Sequence, residues 1–481
     1  MIDARIIRAV RAAAVLLLIV IGSAPVVEAA GELRAGAAAT DITPKNGVSL
    51  DGPISKNGPV TAIHDALHAR ALVLDDGTMQ LAIVVCDACM IGRDVFDAAK
   101  EIVHEKTGLS KNHMLMAATH THAAPRASHI GTSKLDDEYH RFLSAKIAEA
   151  IIQARANLAP AQIGWTSFQK PDLIRCRRWL CEPGSVGANP FGELGERIKS
   201  VSGKSTSVIE PAGPVDPQFF VLSVQHVDGK PLAVLGNFSV HYCGGYRRGL
   251  VSADYFGHFA SALQADLDAG KDHPPFVGIM SNGTSGNTGA IEKGGKRYPP
   301  FEWMKVSARM LADETLRNMK SIEYRRHAPL AMLESELTLA VRKPDAKRLA
   351  WARKMQSVPT KDQPHRWTSV YVNEALHLNE YPATLGIVLQ TIRIGDLAIA
   401  GVPCEVFAET GLQIKKDSPH QATFVMELAN GYGGYLPTPR QHELGGYETW
   451  PARSSFLETA AEPKIRDVIS KLLHQMRNNL E

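Results

Sequence analysis

Short apolar segments alternate with segments of helical periodicity along most of this 481-residue chain. Segments with the length of β-strands lie at residues 71–74, 81–85, 114–118, 219–224, 232–235, 276–280, 391–394 and 397–400. Apolar spacing predicts helices at residues 93–104, 139–156, 255–267, 302–319, 345–356 and 463–476. This alternation predicts an α/β fold in which a mixed or parallel sheet is flanked by helices. Residues 182–217, rich in Gly, Pro and Ser, are predicted to form one long functional loop.

Composition excludes several classes of protein. With 44% hydrophobic and 21% charged residues, the chain has the composition of a globular protein rather than a disordered or fibrous one. Its 53 Lys and Arg against 50 Asp and Glu lack the basic excess that is typical of nucleic-acid binding. Six cysteines are too few for a disulfide framework. We expect Cys86 and Cys89 to be buried at a strand end, and a Cys176–Cys181 disulfide stays open.

The N-terminal segment has the pattern of a secretory signal peptide. Arg5, Arg8 and Arg11 precede an apolar run at residues 12–22, and small or apolar residues suited to cleavage end the segment at position 29. The run is too short to cross a bilayer of about 30 Å as a helix. We therefore predict residues 1–29 to be a signal peptide, residues 30–481 to form one catalytic domain, and the protein to be periplasmic or secreted.

Histidine and glutamate residues follow several of the predicted strands. His120 and His122 come directly after the run at 114–118, where alternation along an extended chain turns both imidazoles to one side. Imidazole is the commonest neutral zinc ligand, and catalytic zinc sites take about three protein ligands plus an open position. His241 and Glu405 also follow apolar runs, although the first fits a structural histidine and the second a helix N-terminal acid.

Two further segments present polar side chains. Ser285 lies in S-N-G-T-S-G-N at residues 281–287, close to a nucleophile elbow except that Asn287 stands where a glycine is needed. Tyr435 lies in the glycine-rich segment N-G-Y-G-G-Y-L-P-T-P at residues 430–439, and Tyr447 follows it. A glycine-rich segment offers little packing of its own, so these aromatic rings must dock elsewhere.

Taken together, these segments resemble the neutral (non-lysosomal) ceramidases, zinc-dependent amidases that hydrolyse N-acylsphingosine. The most specific match is A-T-H-T-H-A-A-P at residues 118–125, close to the family's A-T-H-T-H-S-x-P. G-A-A-A-T-D-I-T-P at 36–44 is similar to the family's entry strand, and I-H-D-A-L-H-A-R-A at 63–71 to its next segment. The resemblance extends over about residues 34–450.

The resemblance implies a site. Its implied zinc ligands are His120, His241, Glu405 and Tyr435. Its implied catalytic residues are His122 facing the substrate oxygen, Tyr447 as a second tyrosine, Ser285 as the serine of the family's G-D-V-S-P-N motif, and Arg177 at the developing oxyanion. Arg178 is an alternative to Arg177, because a cysteine replaces the asparagine of the family's N-R pair. Asp41 and Asp87 are candidates for orienting the ligating imidazoles, and turn or cap roles fit them equally well.

The implied reaction is hydrolysis of the amide bond of an N-acyl lipid to a free fatty acid and an amine. Zinc (Zn2+) lowers the pKa of a water to about 7, and the resulting hydroxide attacks the carbonyl. Ceramide is the leading substrate. Full-length ceramidases carry an additional C-terminal β-sandwich that this chain is expected to lack, so a polar or anionic amide also stays open. We expect transient contact with a membrane surface and no obligate protein partner.

Three other classes of protein remain in view. A barrel-type metal-dependent hydrolase also carries H-x-H on a strand, but nearer its N-terminus and followed by a bridging lysine. A secreted binding protein with a degraded site would not be expected to retain so complete a ligand set. A serine hydrolase using Ser285 without a metal would survive metal removal, whereas the zinc enzyme would not.

Overall fold

The computed structural model describes residues 31–478 except for 53–57, 130–135, 201–206, 268–270 and 292–297. The predicted signal peptide therefore lies outside the described residues. The helices are α1 Arg93–Thr107, α2 Asp137–Ala156, α3 Asp254–Asp266, α4 Glu302–Met319, α5 Ala346–Met355, α6 Thr368–Glu380, α7 Ala408–Asp417, α8 Pro439–Leu444 and α9 Ala461–Asn478. Among the described residues, no helix combines the length and apolar character needed to cross a bilayer.

Two sheets dominate the β-structure. The larger has the order β14-β12-β11-β6-β1-β3-β4-β5, and the smaller has the order β16-β17-β18-β20. The strands of the larger sheet are β1 Arg34–Asp41, β3 His68–Asp75, β4 Gln80–Cys86, β5 Met114–Ala118, β6 Ala159–Gln169, β11 Gln218–His226, β12 Pro231–Phe238 and β14 Val277–Asn282. Those of the smaller sheet are β16 Leu330–Ala340, β17 Thr384–Ile394, β18 Leu397–Val402 and β20 Ala422–Glu427. Short strands complete the set: β2 Ala62–Ile63, β7 Ile174–Cys176, β8 Arg178–Cys181, β9 Ile198–Ser200, β10 Val208–Pro211, β13 Leu250–Val251, β15 Thr288–Ala290, β19 Glu405–Val406 and β21 Tyr435–Leu436.

The two large sheets pack face to face between layers of helices. One apolar core joins Leu115 and Ile279 of the larger sheet to Ile399 and Phe424 of the smaller. Helices α1 to α4 cover the outer face of the larger sheet, and α7 and α9 cover that of the smaller. This layered arrangement confirms the predicted α/β class, with a large mixed sheet flanked by helices. The open strand order of both described sheets does not fit the barrel alternative.

Burial on both faces explains which strands the sequence predicted. Strands β4, β5 and β14 are buried along nearly their whole length, so each reads as an uninterrupted apolar run. Strand β16 instead alternates buried and more exposed positions, and it was not predicted. The long loop predicted at residues 182–217 was wrong in part. It contains β9 and β10, which pair with β8 in a small three-stranded sheet.

Three parallel strand pairs determine where the polar loops meet. Most neighbouring strands are antiparallel, but β4 pairs in parallel with β5, β12 with β14, and β18 with β20. Parallel strands end at the same edge of a sheet, and ligands bind beyond such carboxyl ends in many α/β folds. The segments that follow β5, β12, β14 and β18 are those in which the sequence placed its candidate site residues.

Candidate metal centre

Loops from both sheets bring three candidate ligands together. His120 follows β5 with a positive φ of 74°, a conformation that is uncommon for a non-glycine residue. His241 follows β12, and Glu405 begins β19 just beyond β18. The amide of Asn282 at the end of β14 donates to the carbonyl oxygens of Thr119 and His241, both at 3.3 Å. The histidine loops are therefore held against each other by backbone-directed hydrogen bonds.

The ligand atoms of these residues converge on one point. Nε2 of His120 lies 3.0 Å from Nε2 of His241 and 3.4 Å from Oε2 of Glu405. Nε2 of His241 lies 3.8 Å from the same Oε2. All three side chains are about 2% exposed. Two imidazole nitrogens and a carboxylate oxygen at this spacing form a ligand set typical of zinc.

Hydrogen bonds behind these ligands leave the right atoms facing inward. Nδ1 of His120 lies 2.8 Å from the carbonyl oxygen of Cys89, and Nδ1 of His241 lies 3.1 Å from that of Ser285. A carbonyl can only accept, so each Nδ1 carries the proton and each Nε2 presents a lone pair. Oε2 of Glu405 accepts no hydrogen bond from the described residues. The residues present therefore fit a divalent metal ion.

The electrostatics also suit a cation. Burial lowers the pKa of His241 well below its ordinary value, and nearby Arg177 acts in the same direction. Burial alone would raise the pKa of Glu405, but the charge and hydrogen bond of His120, the hydrogen bond of Tyr432 and the charge of Arg177 together lower it below the ordinary value. For His120, burial acts to lower the pKa, while the charge of Glu405 raises it beyond the ordinary value. Without an ion, this buried cluster thus holds a carboxylate beside His120, whose protonation the carboxylate favours, and His241, which resists protonation.

His122 belongs to the same cluster. Its Nε2 lies 3.2 Å from Nε2 of His120, and its ring stacks on Tyr242 with centroids 4.0 Å apart. Burial lowers its pKa well below the ordinary value, and His120 and Arg177 act in the same direction. Cys89, His120 and His122 also form a group with ligand spacing. The structure thus places His122 directly beside the three candidate ligands.

Tyr435 is brought beside Glu405 by strand pairing. Strands β19 and β21 pair in parallel with Glu405 opposite Tyr435, so both side chains lie on one face of the pair. The Tyr435 hydroxyl accepts a hydrogen bond from Nη2 of Arg177 at 3.1 Å. Tyr447 meets the Tyr435 ring edge to face, with centroids 5.8 Å apart. These contacts place all three residues at one edge of the cluster.

The two neighbouring arginines have different environments. The guanidinium of Arg177 lies over the rings of Tyr435 and Tyr447 at 5.5 and 5.4 Å, and it donates to the carbonyl oxygen of Gly286 at 2.7 Å. Arg178 is completely buried, with Nη1 2.5 Å from Glu448 Oε2 and Nη2 donating to the carbonyl of Gly445. Of the two alternatives left open by the sequence, the structure therefore brings Arg177 to the centre and makes Arg178 a packing residue.

Ser285 lies behind His241, with its Oγ 3.4 Å from Nδ1. Its hydroxyl donates to Oε1 of Glu427, and its backbone N–H donates to Oε2 of Glu427 at 3.1 Å. Burial raises the pKa of Glu427 to about 8. Sequence reasoning missed Glu427. A signal was present, because this acid ends an apolar strand just as Glu405 follows one.

A tyrosine was also overlooked. The hydroxyl of Tyr432 donates to Oε1 of Glu405 at 2.6 Å, on the carboxylate oxygen that does not face the histidines. Tyr432 lies in the same glycine-rich segment as Tyr435, so its motif was noticed but its role was not. Together with the carbonyls behind the histidines, Tyr432 completes the support of all three ligands.

The two predicted orienting aspartates lie elsewhere. Asp87 accepts hydrogen bonds from Nη1 of Arg70 at 2.6 Å and from the backbone N–H of His68 at 2.9 Å. Asp41 caps a turn by accepting from the backbone N–H of Thr43 at 2.7 Å. Of the roles that the sequence left open, Asp41 therefore has the turn role and Asp87 pairs with Arg70, while backbone carbonyls orient the imidazoles.

The cysteines are structural. Cys86 and Cys89 are buried at the end of β4, as predicted. Cys176 and Cys181 are both free, and their thiols lie 3.2 and 3.5 Å from the backbone carbonyls of Arg178 and Trp179. The disulfide that the sequence left open is therefore not formed in this structure.

Comparison with known proteins identifies related chains. The model of the family described as neutral/alkaline non-lysosomal ceramidase, N-terminal, matches residues 33–296. The crystal structure of neutral ceramidase from Pseudomonas aeruginosa is similar, with a TM-score of 0.72 and 18% identity over 93% of this chain and 75% of that one. A ceramidase complexed with C2 gives a TM-score of 0.70 and 18% identity over 93% and 76% of the two chains. At this identity the solved structures establish a shared fold.

Proposed function

Because the chain belongs to the neutral/alkaline non-lysosomal ceramidase family, we propose that it is an exported zinc-dependent amidohydrolase. It would cleave the amide bond of an N-acyl lipid, with N-acylsphingosine as the leading substrate. The observation that carries the proposal is the meeting of His120 Nε2, His241 Nε2 and the unbonded Oε2 of Glu405 in one buried cluster. Family membership makes the protein a ceramidase-type hydrolase, and this cluster supplies the chemistry.

Zinc is the ion that this donor set favours. Two neutral imidazoles and one carboxylate leave an open position, as catalytic zinc requires, and Tyr435 lies on the face of Glu405 where a fourth ligand would be needed. When bound, zinc polarises a carbonyl and lowers the pKa of a water to about 7, which makes amide hydrolysis accessible at neutral pH. His120, His241 and Glu405 would hold the ion, and Tyr432 would hold Glu405.

The remaining residues of the cluster fit the charge that develops on the amide oxygen. Arg177 is held by Gly286 and Tyr435, so its guanidinium needs little reorganisation to face an anion. Tyr447 lies under the same guanidinium, and its hydroxyl is a donor of the kind that binds an oxyanion. His122 is neutral and close to the ligands, which suits an imidazole that accepts or donates a proton during the reaction.

Ser285 and Glu427 would act from behind the ligands. The hydrogen bond between Ser285 Oγ and Glu427 Oε1 fixes the loop whose carbonyl orients His241. Glu427 also accepts from the backbone N–H of Val406, next to Glu405, at 2.8 Å. One buried carboxyl group thereby fixes two of the three ligand loops. We assign Glu427 a positioning role in this reaction.

An aromatic cluster supports an apolar substituent on the substrate. Tyr447 belongs to a group with Phe191, Tyr371 and Trp450, against which Trp351 and Trp367 pack only partly buried. The ring of Trp367 lies 6.3 Å from that of Tyr447. Partly exposed aromatic rings next to the catalytic edge offer a surface for an acyl chain or a long-chain base. The positive charge of Arg177 at the same edge would also suit a substrate with a polar or anionic head group.

Metal analysis of the tag-free mature protein tests the proposal. His241→Ala would be compared with wild type for zinc content and for hydrolysis of a short-chain fluorogenic ceramide and a panel of other N-acyl amides. His226→Ala is the matched control, since His226 is a buried histidine that stacks on His273 instead. We expect His241→Ala to lose both zinc and amidase activity. Freshly prepared wild type that hydrolyses amides without metal would overturn the mechanism.

The hydrogen bond from Ser285 Oγ to Glu427 Oε1 favours one second candidate, a serine hydrolase that needs no metal. In that enzyme Glu427 would serve as the base, because Nδ1 of His241 carries a proton that it donates to the carbonyl of Ser285. Chelation separates the two, because a serine mechanism keeps its activity when zinc is removed and the zinc mechanism does not. Ser285→Ala would abolish a serine mechanism but would leave part of a zinc-dependent activity.

A further inference from the structure

A second group of potential metal ligands lies outside the catalytic cluster. His64 and Asp65 follow β2, and His258 lies in the second turn of α3. Their side chains are 25, 21 and 21% exposed. We call this group the outer cluster, and the group of His120, His241 and Glu405 the inner centre.

The three side chains of the outer cluster converge. Nδ1 of His64 is hydrogen-bonded to Oδ1 of Asp65, and Nε2 of His258 lies 3.6 Å from the same oxygen. One ligand atom from each residue lies within 4.8 Å of the others. Nε2 of His258 is buried and makes no hydrogen bond within the described part of the chain. A buried ring nitrogen without a partner costs stability unless something occupies its lone pair.

Two ligands of the outer cluster, Asp65 and His64, are also held by neighbouring groups. Oδ2 of Asp65 accepts from the backbone N–H of Ala253 at 2.5 Å, just before α3 begins. The ring of His64 stacks on Phe301 with centroids 3.7 Å apart and planes 8° apart. The backbone N–H of His64 donates to the carbonyl of Val251 at 2.9 Å, beside the pairing of β2 with β13. These supports fix the directions of the Asp65 and His64 side chains before any ion binds.

We propose that the outer cluster is a second metal site, which binds a divalent transition-metal ion of the zinc class through His64 Nδ1, Asp65 Oδ1 and His258 Nε2. Two imidazoles and one carboxylate favour zinc, cobalt, nickel or copper over magnesium and calcium, which prefer oxygen ligands. Partial exposure leaves the remaining positions to water. The binding step is coordination without redox chemistry, and the imidazoles bind in their neutral form.

The place of the site in the fold indicates what the ion does. It joins the segment after β2 to the start of α3, two elements about 190 residues apart in sequence that meet here through β13. Next to Ala253, the carbonyl of Ser252 accepts from Thr121 Oγ1 at 2.6 Å, and the N–H of Ser252 donates to Ala123. Thr121 lies between His120 and His122. An ion in the outer cluster would therefore stabilise the segment around Ser252, which holds the loop of His120 and His122 through Thr121 and Ala123.

Zinc binding to metal-free, tag-free protein tests this site separately from the inner centre. His120→Ala/His241→Ala removes two inner ligands, and adding His258→Gln to it removes an outer one. His258→Gln suits the test because Nε2 makes no hydrogen bond that the substitution would break. The matched control is His273→Gln, from an exposed pair in which His273 contacts Asp228 at 3.0 Å and stacks on His226.

We expect about two zinc ions per chain in wild type and in the control, about one in the double variant, and none in the triple variant. Zinc should raise the melting temperature of the double variant but not of the triple variant, since only a ligand that binds the folded state stabilises it. A double variant that binds no zinc would overturn the outer site. Wild type that binds no more zinc than the double variant would instead overturn the inner centre, so the two failures are distinguishable. Adding His64→Gln to the double variant removes the other outer imidazole and should likewise abolish zinc binding.

Discussion

The inner centre and the outer cluster share a ligand set of two histidines and one carboxylate, but they are built differently. The inner ligands are about 2% exposed and come from loops after parallel strands of two facing sheets. The outer ligands are 21–25% exposed and come from one short loop and one helix. Ligand type alone therefore does not distinguish a catalytic centre from a structural one. What distinguishes them is the groups around the ligands. Backbone carbonyls, tyrosines and Arg177 surround the inner centre, whereas the ring of Phe301 and the start of α3 support the outer cluster.

The largest effect should come from removing one ligand of each cluster in turn, Glu405 from the inner centre and His258 from the outer cluster. Glu405→Gln keeps the shape of the inner centre but removes its charge, and we expect amidase activity to fall on the order of 10⁴-fold, because the Lewis acid is lost. His258→Gln should lose the outer ion, and we expect activity to drop by less than about tenfold. The outer ion affects the inner centre only through the contacts of Ser252 with Thr121 and Ala123. Initial rates and zinc content of both variants measure this. Equal losses of activity would remove the distinction between the two clusters.

An arginine at the catalytic edge is the next difference to test. Arg177→Met keeps the aliphatic stem but removes the donors, and we expect kcat to fall by about 10²–10³-fold, as for other oxyanion donors. Arg178→Met removes one of the two arginines that pair with buried Glu448 and should instead lower the free energy of unfolding by up to about 3–5 kcal/mol. Steady-state kinetics and urea unfolding separate the two effects. A large kcat loss in Arg178→Met with unchanged stability would reverse the assignment.

Substituting the residues that hold the ligands, rather than the ligands themselves, should change activity and zinc affinity less. Glu427→Gln weakens the hold on the loops of His241 and Glu405, and we expect zinc affinity or kcat to fall by about 10–100-fold. Phe301→Leu removes the ring that stacks on His64 and should weaken only the outer ion. Chelator competition on each variant reports the affinity, with Ser285→Ala as a check that the effect of Glu427 passes through the serine. Unchanged zinc affinity and kcat in Glu427→Gln would remove its positioning role.

The inner centre was accessible from sequence because its ligands directly follow buried strands. His120 and His241 end apolar runs that are uninterrupted since both faces of β5 and β12 are buried. Glu427 was missed although it ends an apolar strand, because its partner Ser285 lies 142 residues away and nothing in the sequence joins the two. For Asp87 the sequence left an orienting role and a turn role equally open, because it gave no sign of the pairing with Arg70.

Long-range packing also limited the prediction of the fold. The apolar runs revealed the central strands, but nothing in their spacing distinguished one sheet from two facing sheets. That distinction depends on contacts such as those of Phe220 with Phe424, about 200 residues apart. Strand β16 was missed because its outer face is partly exposed, which gives an alternating pattern that resembles a surface segment.

The smallest expected effect is on how the free energy of unfolding depends on pH, and it also separates the two clusters. Burial lowers the pKa of His122 and His241 well below the ordinary value near 6.5, whereas the unfolded chain binds protons at that value. The unfolded state therefore binds more protons as the pH falls below about 6.5, so the free energy of unfolding of metal-free protein should decrease in that range. Each such histidine contributes a slope of at most about 1.4 kcal/mol per pH unit.

Substitutions in the metal-free protein assign that slope to one cluster or the other. His241→Asn should make the decline below pH 6.5 shallower, because one buried proton-resisting imidazole is gone. Burial lowers the pKa of His258 as well, but its side chain is a fifth exposed, so His258→Asn should change the slope less. Urea unfolding between pH 5 and 7, with chelator present, measures both variants against wild type. If His258→Asn changed the slope more than His241→Asn, the outer cluster would be the more desolvated of the two, and the exposed fractions of the side chains would no longer distinguish the two clusters.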